Sequence, residues 1–321
     1  MARNRKIANK IAKSLVVPIP AMYDNYGGIN KLSVFNYLQF LKQKGVTCVM
    51  TTAGTSQFNM LAKRDIAKLN YAVSADGFSS YILGIAPTNT TRTIEQIKSL
   101  QKMVGKKSNK CVMLLYPERY YDDETIINHF YKCAESSEIP VIIHAMFMRQ
   151  GNGGWYDYSS KLINKLVEHP NIIGIKEETS ELGKAYNVCN QIDTDECLVI
   201  AAGGSMRRFN ALKPTGVQTW LSGVGNMIPE AELAFRKDTS KLSIIKDFEN
   251  PMFDVFMKIG WHKAMREAIR QIAVGCVING EPFAICKCML ACLLPKITSQ
   301  EKEQIQNVLK EMKEKCQKHG F

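Results

Sequence analysis

The chain has 321 residues, of which 45% are hydrophobic and 22% charged, and its formal net charge is +12. That is ample apolar material for one large core, and no stretch approaches the ~20 apolar residues of a membrane span. The basic residues are spread along the chain, with neither zinc-finger spacing nor a basic-aromatic ribonucleoprotein motif, so the charge reads as a lysine-rich solvated surface and not as a nucleic-acid site.

A short basic cluster, Arg3, Arg5, Lys6, Lys10 and Lys13, opens the sequence. No secretory apolar region with a small-residue cleavage site follows it, so it is read as a frayed basic terminus. Eight short apolar runs come next, at residues 15–19, 48–52, 81–85, 111–115, 141–145, 172–176, 198–202 and 217–221. They are rich in Val, Ile and Leu and do not alternate with polar residues, the pattern of parallel strands buried on both faces. Segments between them carry apolar residues at helical spacing, such as Val34, Tyr37, Leu38 and Leu41, or Leu162, Leu166 and Val167. Strands alternating with helices predict a parallel α/β fold, and eight such units fit a closed (β/α)8 TIM barrel better than an open doubly wound sheet. No G-x-G-x-x-G follows the first run, which argues against a dinucleotide fold.

After the eighth run the spacing turns helical. Phe253, Phe256 and Ile259 begin one amphipathic helix, residues 284–294 read as a second, and Ile305, Val308, Leu309 and Met312 form a stripe on a third, which starts near Ser299 with Lys302 and Glu303 in its first turn. The expected division is a barrel over residues 1–227 and an all-helical C-terminal extension over 228–321. Ten cysteines are scattered along the chain. Cys48, Cys111 and Cys197 lie in or beside apolar runs, and Cys286, Cys288 and Cys292 cluster on a predicted helix without paired C-x-x-C knuckles. They are read as reduced packing thiols of a cytoplasmic protein, with no metal site.

In a TIM barrel the active site lies at the C-terminal ends of the strands, which shortens the search. Lys176 closes the sixth run, so its ammonium stands at the edge of an apolar interior. Burial disfavours the charged form, and a neutral amine is what attacks a ketone. The alternative is a strand-end lysine facing solvent or paired with Glu177 or Glu178, and the residues alone leave the two level. His144 ends the fifth run, where it serves either as a core histidine or as an acid/base group opposite the lysine. Gly54, Thr55 and Ser56 form a loop of small and hydroxyl residues after the second run, able to hold a carboxylate or to be an ordinary turn. Arg149 offers a fork of donors to a carboxylate, or is a surface arginine. Gly203, Gly204 and Ser205 follow the seventh run and precede Arg207 and Arg208, a candidate anion loop whose plainer reading is a surface arginine pair.

These residues, taken in order from about Leu15 to the C-terminus, resemble the dihydrodipicolinate synthase / N-acetylneuraminate lyase superfamily of Schiff-base-forming barrel lyases. The most specific similarity is the segment from His169 and Pro170 through Gly174 and Ile175 to Lys176. Ala53 through Gln57, with Phe58 and Leu61, is similar to the family's carboxylate-binding loop. Lys44, Gly45 and Val46 resemble the approach to the second strand, and Gly216, Val217, Ser222, Gly223, Asn226 and Pro229 the eighth strand and its exit. The resemblance implies Lys176 as the nucleophile and Thr55 with its neighbouring backbone as the keto-acid carboxylate site. Several positions depart from the family pattern. A proton-relaying tyrosine is replaced by His144 and the asparagine after it by Ala145. The loop has Gly54 and Gln57 for a threonine and a glutamate, and the paired tyrosines after the fourth strand are not clearly matched within Tyr116, Pro117, Glu118, Arg119, Tyr120 and Tyr121.

The resulting expectation is an aldolase-type lyase that joins Lys176 to pyruvate or another 2-keto acid, with an aldehyde as the second small-molecule partner. His144 would move the proton, and Arg149 or Gly203, Gly204 and Ser205 would contact the distal part of the substrate. The Schiff base is its own electron sink, so no cofactor is expected. A dehydratase of a 2-keto-3-deoxy sugar acid is the alternative by the same chemistry, and a non-catalytic keto-acid-binding barrel the alternative of another class. The resemblance further implies a homo-oligomer, tetramer or dimer.

Overall fold

A computed structural model of the chain describes residues 2–24, 26–51, 53–56, 60–105, 110–114, 122–145, 148–149, 155–156, 158–273, 277–278, 281–282 and 296–321. Eight strands lie side by side in one parallel sheet: β1 (Val16–Pro18), β2 (Cys48–Met50), β3 (Ser80–Ile85), β4 (Lys110–Leu114), β5 (Val141–Ala145), β8 (Ile172–Glu177), β9 (Leu198–Ala201) and β10 (Thr219–Trp220). The two strands missing from that count, β6 (Met148–Arg149) and β7 (Trp155–Tyr156), form a small antiparallel pair of their own. A parallel bridge between Val16 and Leu221 joins the last strand to the first, and the Ser222 N–H donates to the Val16 carbonyl at 2.8 Å. The chain is therefore a TIM barrel, and each predicted apolar run overlaps one barrel strand.

The non-alternating composition of the strands follows from their two buried faces. Outward residues such as Val17, Val49, Leu83, Ile143, Ile175 and Val199 pack beneath the helices. Inward residues such as Cys48, Met50, Ile82, Ile142, Leu198 and Ile200 form a separate cluster in the barrel interior. The connecting helices begin where the sequence supplies a cap. In α2 (Lys31–Gln43) Asn30 accepts from the Ser33 N–H, in α4 (Thr90–Val104) Asn89 from Arg92, in α5 (Asp123–Glu135) Asp122 from Thr125, and in α6 (Ser160–Val167) Ser159 from Leu162. Helices α3 (Lys63–Ala75), α7 (Leu182–Cys189) and α8 (Ser205–Leu212) complete the ring. Burial pushes the thiols of Cys48, Cys133, Cys189 and Cys197 up to about 12, as expected of packing cysteines.

The first correction concerns the basic N-terminus. It is not frayed but forms α1 (Ala2–Ala12), whose Ile7 and Ile11 belong to the interior cluster while Arg5 and Lys6 face solvent. The helix plugs the N-terminal end of the barrel. Asn4 donates to the Pro170 carbonyl at 2.9 Å, Arg5 pairs with Glu196, and Arg236 binds the carbonyls of Ala12 and Lys13.

After the barrel come α9 (Pro229–Lys237), the single turn α10 (Leu242–Ile244), a π-helical turn at Ile245–Glu249, α11 (Asn250–Ile259), α12 (Trp261–Ala273) and α13 (Ser299–His319). Phe253, Phe256 and Ile259 end a helix where the sequence suggested that they begin one, because Gly260, at φ 99°, breaks the chain before α12. A short antiparallel pair, β11 (Val277–Ile278) with β12 (Glu281–Pro282), interrupts the predicted all-helical region. In α13 the stripe Ile305, Val308 and Met312 is buried, and Thr298 with Glu301, not Ser299, makes the capping box. The predicted helix at 284–294, Cys286, Cys288, Cys292, Gln57, Phe58 and the tyrosine segment 116–121 lie outside the described residues. No described helix is long and apolar enough to cross a membrane.

Candidate active site

Two strand ends build the centre of the site. The β5–β8 ladder begins with Val141 opposite Ile172, then slips, so that Ile142 stands opposite Gly174 and His144 opposite Lys176. Carried forward without the slip, the register would set His144 against Ile175, whose side chain points outward. The irregularity falls at Gly174, where an added Cβ would sit 2.7 Å from the Leu198 Cβ, so only glycine lets β9 approach this closely. His144 and Lys176 thereby share the inward face at the C-terminal end of the barrel, 3% and 1% exposed.

Their side chains touch. Lys176 Nζ lies 2.8 Å from His144 Nε2, and a third group, the Glu178 carboxylate, closes a triangle: Oε2 is 2.7 Å from His144 Nε2 and accepts from Lys176 Nζ. Burial, reinforced by the positive charge of Lys176, pushes His144 down to about 4 and leaves its ring neutral. Burial alone would raise Glu178, but Lys176 and the His144 hydrogen bond overcome it and hold the carboxyl well below the usual range. Lys176 is thus buried in the barrel mouth and paired with a glutamate, Glu178.

The chain after β8 is held from outside the barrel. Glu177 points outward and is fully buried. Its carboxylate accepts from Arg208 Nη2 at 2.7 Å, Arg208 Nε at 3.2 Å and the Thr179 N–H at 2.7 Å, and Arg208 also donates to the Thr179 carbonyl at 2.6 Å. The Glu178 N–H donates to the Ala145 carbonyl at 3.0 Å. Gly203, at φ 80°, passes beside it, and an added Cβ there would lie 3.3 Å from Glu178 Cγ.

The predicted surface arginine pair holds for Arg207, which is exposed, and is corrected for Arg208. Arg208 is committed to buried Glu177, and Arg207 Nε donates to Glu249 at 3.0 Å while its guanidinium lies 3.8 Å from the centre of the Phe253 ring. Both arginines answer structural carboxylates contributed by distant parts of the chain. Gly203 flanks Glu178, and Ser205 Oγ accepts from the Gly223 N–H at 3.1 Å, tying the exit of β9 to that of β10.

The loop after β2 takes the form of a single 3-10 turn, Gly54–Ser56, with Gly54 exposed and Thr55 and Ser56 buried. Ser56 Oγ donates to the Ile19 carbonyl at 2.6 Å, which fastens the turn to the exit of β1. Thr51 faces outward, where its Oγ1 hydrogen-bonds Asn70 at 2.5 Å and accepts from the Gly84 N–H at 2.9 Å. Arg149 lies in β6 opposite Trp155, and its side chain is outside the described part of the structure. Among the described residues no group of three His, Cys, Asp or Glu side chains is placed to hold a metal ion.

Of the two glutamates that the sequence offered to Lys176, Glu178 makes the pair. A feature of the mouth not foreseen is α12, which crosses the exits of β1 and β2. The His262 ring comes within 3.8 Å of a Cβ built on Gly54, and buried Arg266 donates to the Ala21 carbonyl at 3.0 Å with its guanidinium 5.4 Å from the Tyr23 ring centre. The sequence signal was present in residues 261–266: an aromatic, a histidine and an arginine on a helix of the tail.

Residues 11–259 match the sequence model of the dihydrodipicolinate synthetase family. An uncharacterised DapA-like lyase of Pyrococcus furiosus is 28% identical over 174 residues, 53% of this chain and 55% of the relative, so the match spans about half that protein's length. The crystal structure of dihydrodipicolinate synthase from Oceanobacillus iheyensis superposes with a TM-score of 0.74 at 17% identity, covering 96% of this chain and 99% of that one. A prophage protein of the dihydrodipicolinic acid synthase family from E. coli K12, crystallised in complex with pyruvate, superposes with a TM-score of 0.71 at 16% identity over 94% of this chain and 98% of that one.

Proposed function

The chain belongs to the dihydrodipicolinate synthetase family, and from that premise we propose that it is an aldolase-type lyase in which Lys176 forms a Schiff base with pyruvate or another 2-keto acid. The observation that carries this reading is the burial of Lys176 at the C-terminal end of the barrel with Nζ 2.8 Å from His144 Nε2. An amine so placed is shielded from water and has a neutral base beside it. The pyruvate bound by the E. coli relative supports the choice of keto acid.

Once Lys176 has passed one proton to His144, the amine adds to the C2 carbonyl carbon, that proton returns to the C2 oxygen as water leaves, and an iminium forms. The iminium draws electrons from the neighbouring C3. In the cleavage direction His144 takes the proton of the C4 hydroxyl, the C3–C4 bond breaks, an aldehyde departs, and the electron pair is stored as an enamine. Protonation of C3 and hydrolysis then return the keto acid and the free lysine. The 2-keto acid carboxylate is assigned to the Gly54–Ser56 turn, Thr55 through its hydroxyl and Gly54 and Thr55 through backbone N–H groups, since the Ser56 hydroxyl is spent on Ile19 and its N–H on Ala53. Arg149 and the turn through Gly203, Gly204 and Ser205 are assigned to the distal part of the substrate. The buried, weakly acidic thiols suit a reducing cytoplasm, and family membership supports a homo-oligomer.

The test is borohydride reduction in the presence of pyruvate, followed by intact-mass measurement and peptide mapping. A stable pyruvyl adduct on Lys176, absent from Lys176→Ala together with all turnover, is expected. No adduct with pyruvate or longer keto acids would overturn the mechanism in favour of a non-catalytic binding barrel.

A further inference from the structure

The Lys176–His144–Glu178 triangle has more contacts than one proton arrangement can serve. A neutral imidazole nitrogen either donates or accepts, so Nε2 cannot accept from Lys176 and donate to Glu178 at once. With the proton on the lysine, the ammonium donates to both neighbours and the His144–Glu178 edge, 2.7 Å long, holds no proton. With the proton on Nε2, the imidazolium donates to Glu178 and the amine is free.

The carboxylate is held in place on several sides. Its N–H is bonded to the Ala145 carbonyl on β5, its neighbour Glu177 is locked to Arg208, and Gly203 leaves out the side chain that would crowd its Cγ. A buried lysine needs a counter-charge, but it does not need one shared with an imidazole. From this geometry we propose that Glu178 is the charge partner of His144 in the iminium–enamine step: it aims the ring at the substrate and stabilises the positive charge that the ring acquires on taking a proton from C3. The inference rests on the Schiff-base reading of Lys176.

Schiff-base formation removes two of the three Nζ protons, so Glu178 loses donors from the lysine as the iminium appears. The C3–H bond then breaks, its proton goes to Nε2 of neutral His144, its electron pair forms the C2=C3 bond, and the C2=N π pair settles on Nζ. The positive charge passes from the iminium to the imidazole, and the carboxylate lies against both. Glu178 acts through His144 and is a positioning residue in this step.

Two readouts on the full-length protein separate this role from the Schiff base itself. The first is borohydride trapping of pyruvate on Lys176. The second is exchange of the pyruvate methyl protons for deuterium in D2O, followed by proton NMR. Glu178→Gln should trap pyruvate as wild type does but exchange roughly 100-fold more slowly, the scale of a lost acid/base function. Glu178→Asp, which keeps the charge, should recover about tenfold of that loss; it also carries the test if the glutamine variant fails to fold. Exchange at the wild-type rate in Glu178→Gln would overturn the proposal, as would a folded Glu178→Gln that no longer traps pyruvate, since the role would then lie in forming the adduct. Wild-type protein that traps nothing overturns the Schiff-base reading and this inference with it; wild type that traps, beside an indifferent Glu178→Gln, overturns this inference alone.

Discussion

Glu177 and Glu178 are the same residue one peptide apart, and the pleat of β8 sends them to opposite sides of the barrel wall. Glu178 meets a lysine and a histidine at the mouth. Glu177 meets Arg208 beneath α8, with its side chain 1% exposed and that of Arg208 9%. A buried pair of this kind adds little net stability over a hydrocarbon pair of the same shape, but removing one member strands the other charge. Arg208→Met should therefore cost about 3–5 kcal/mol in urea unfolding, and the double variant Glu177→Gln, Arg208→Met should regain most of it. Additive losses would mean that the two side chains are not coupled. Lys176 and His144 were legible in the sequence because each ends an apolar run, and strand ends are where a barrel keeps its chemistry. Glu178 was legible only as one of two glutamates able to pair with the lysine; its contact with His144 was not, because it joins two strand ends 34 residues apart. Arg208 was misread as a surface residue, and the carboxylate partners of both arginines were missed, for a related reason: they lie 42 and 31 residues away in sequence, and no local pattern announces them.

At the scale of elements, the eight barrel strands were readable because burial on both faces writes an unbroken apolar run into the sequence. The N-terminal helix was not, since five basic residues within residues 1–13 conceal the spacing of Ile7 and Ile11. Only two turns of that helix enter the core, yet they close the end of the barrel opposite the active site. Ile11 is 0% exposed, and its truncation leaves a cavity between α1 and the strands. Ile11→Ala should lower stability by about 2–5 kcal/mol in urea unfolding. Arg5→Ala on the same helix should change it by less than about 1 kcal/mol, because its pair with Glu196 is solvent-exposed. If Ile11→Ala proved as silent as Arg5→Ala, the helix would not be a plug.

For the whole molecule, buried ionisable groups of opposite kind set how stability depends on pH. Burial pushes His129 and His144 down to about 4, the latter with help from Lys176. Each histidine is less readily protonated folded than unfolded, so its contribution is full above an unfolded value near 6.5 and is lost as pH falls toward 4. Two carboxyls run the other way. Burial raises Glu232, hydrogen-bonded to Trp220, to about 7, and burial together with the charge of Glu232 raises Glu249 to about 8. Both are more readily protonated folded than unfolded. Their contribution is full below about 4.5 and is lost as pH rises through 7 and 8. Burial also lowers His169 and His262, so between about 4.5 and 6.5 the rising contributions of four histidines meet the falling contributions of two glutamates. Above that window only the glutamates still titrate, and stability falls. The melting temperature should therefore peak at about pH 6.5 and decline from there to about 8. Glu232→Gln combined with Glu249→Gln should flatten the alkaline decline and, because the falling contributions vanish from about 4.5 upward, turn the acid side into a net rise toward about pH 6.5. An unaltered decline in that double variant would place the alkaline titration elsewhere in the molecule.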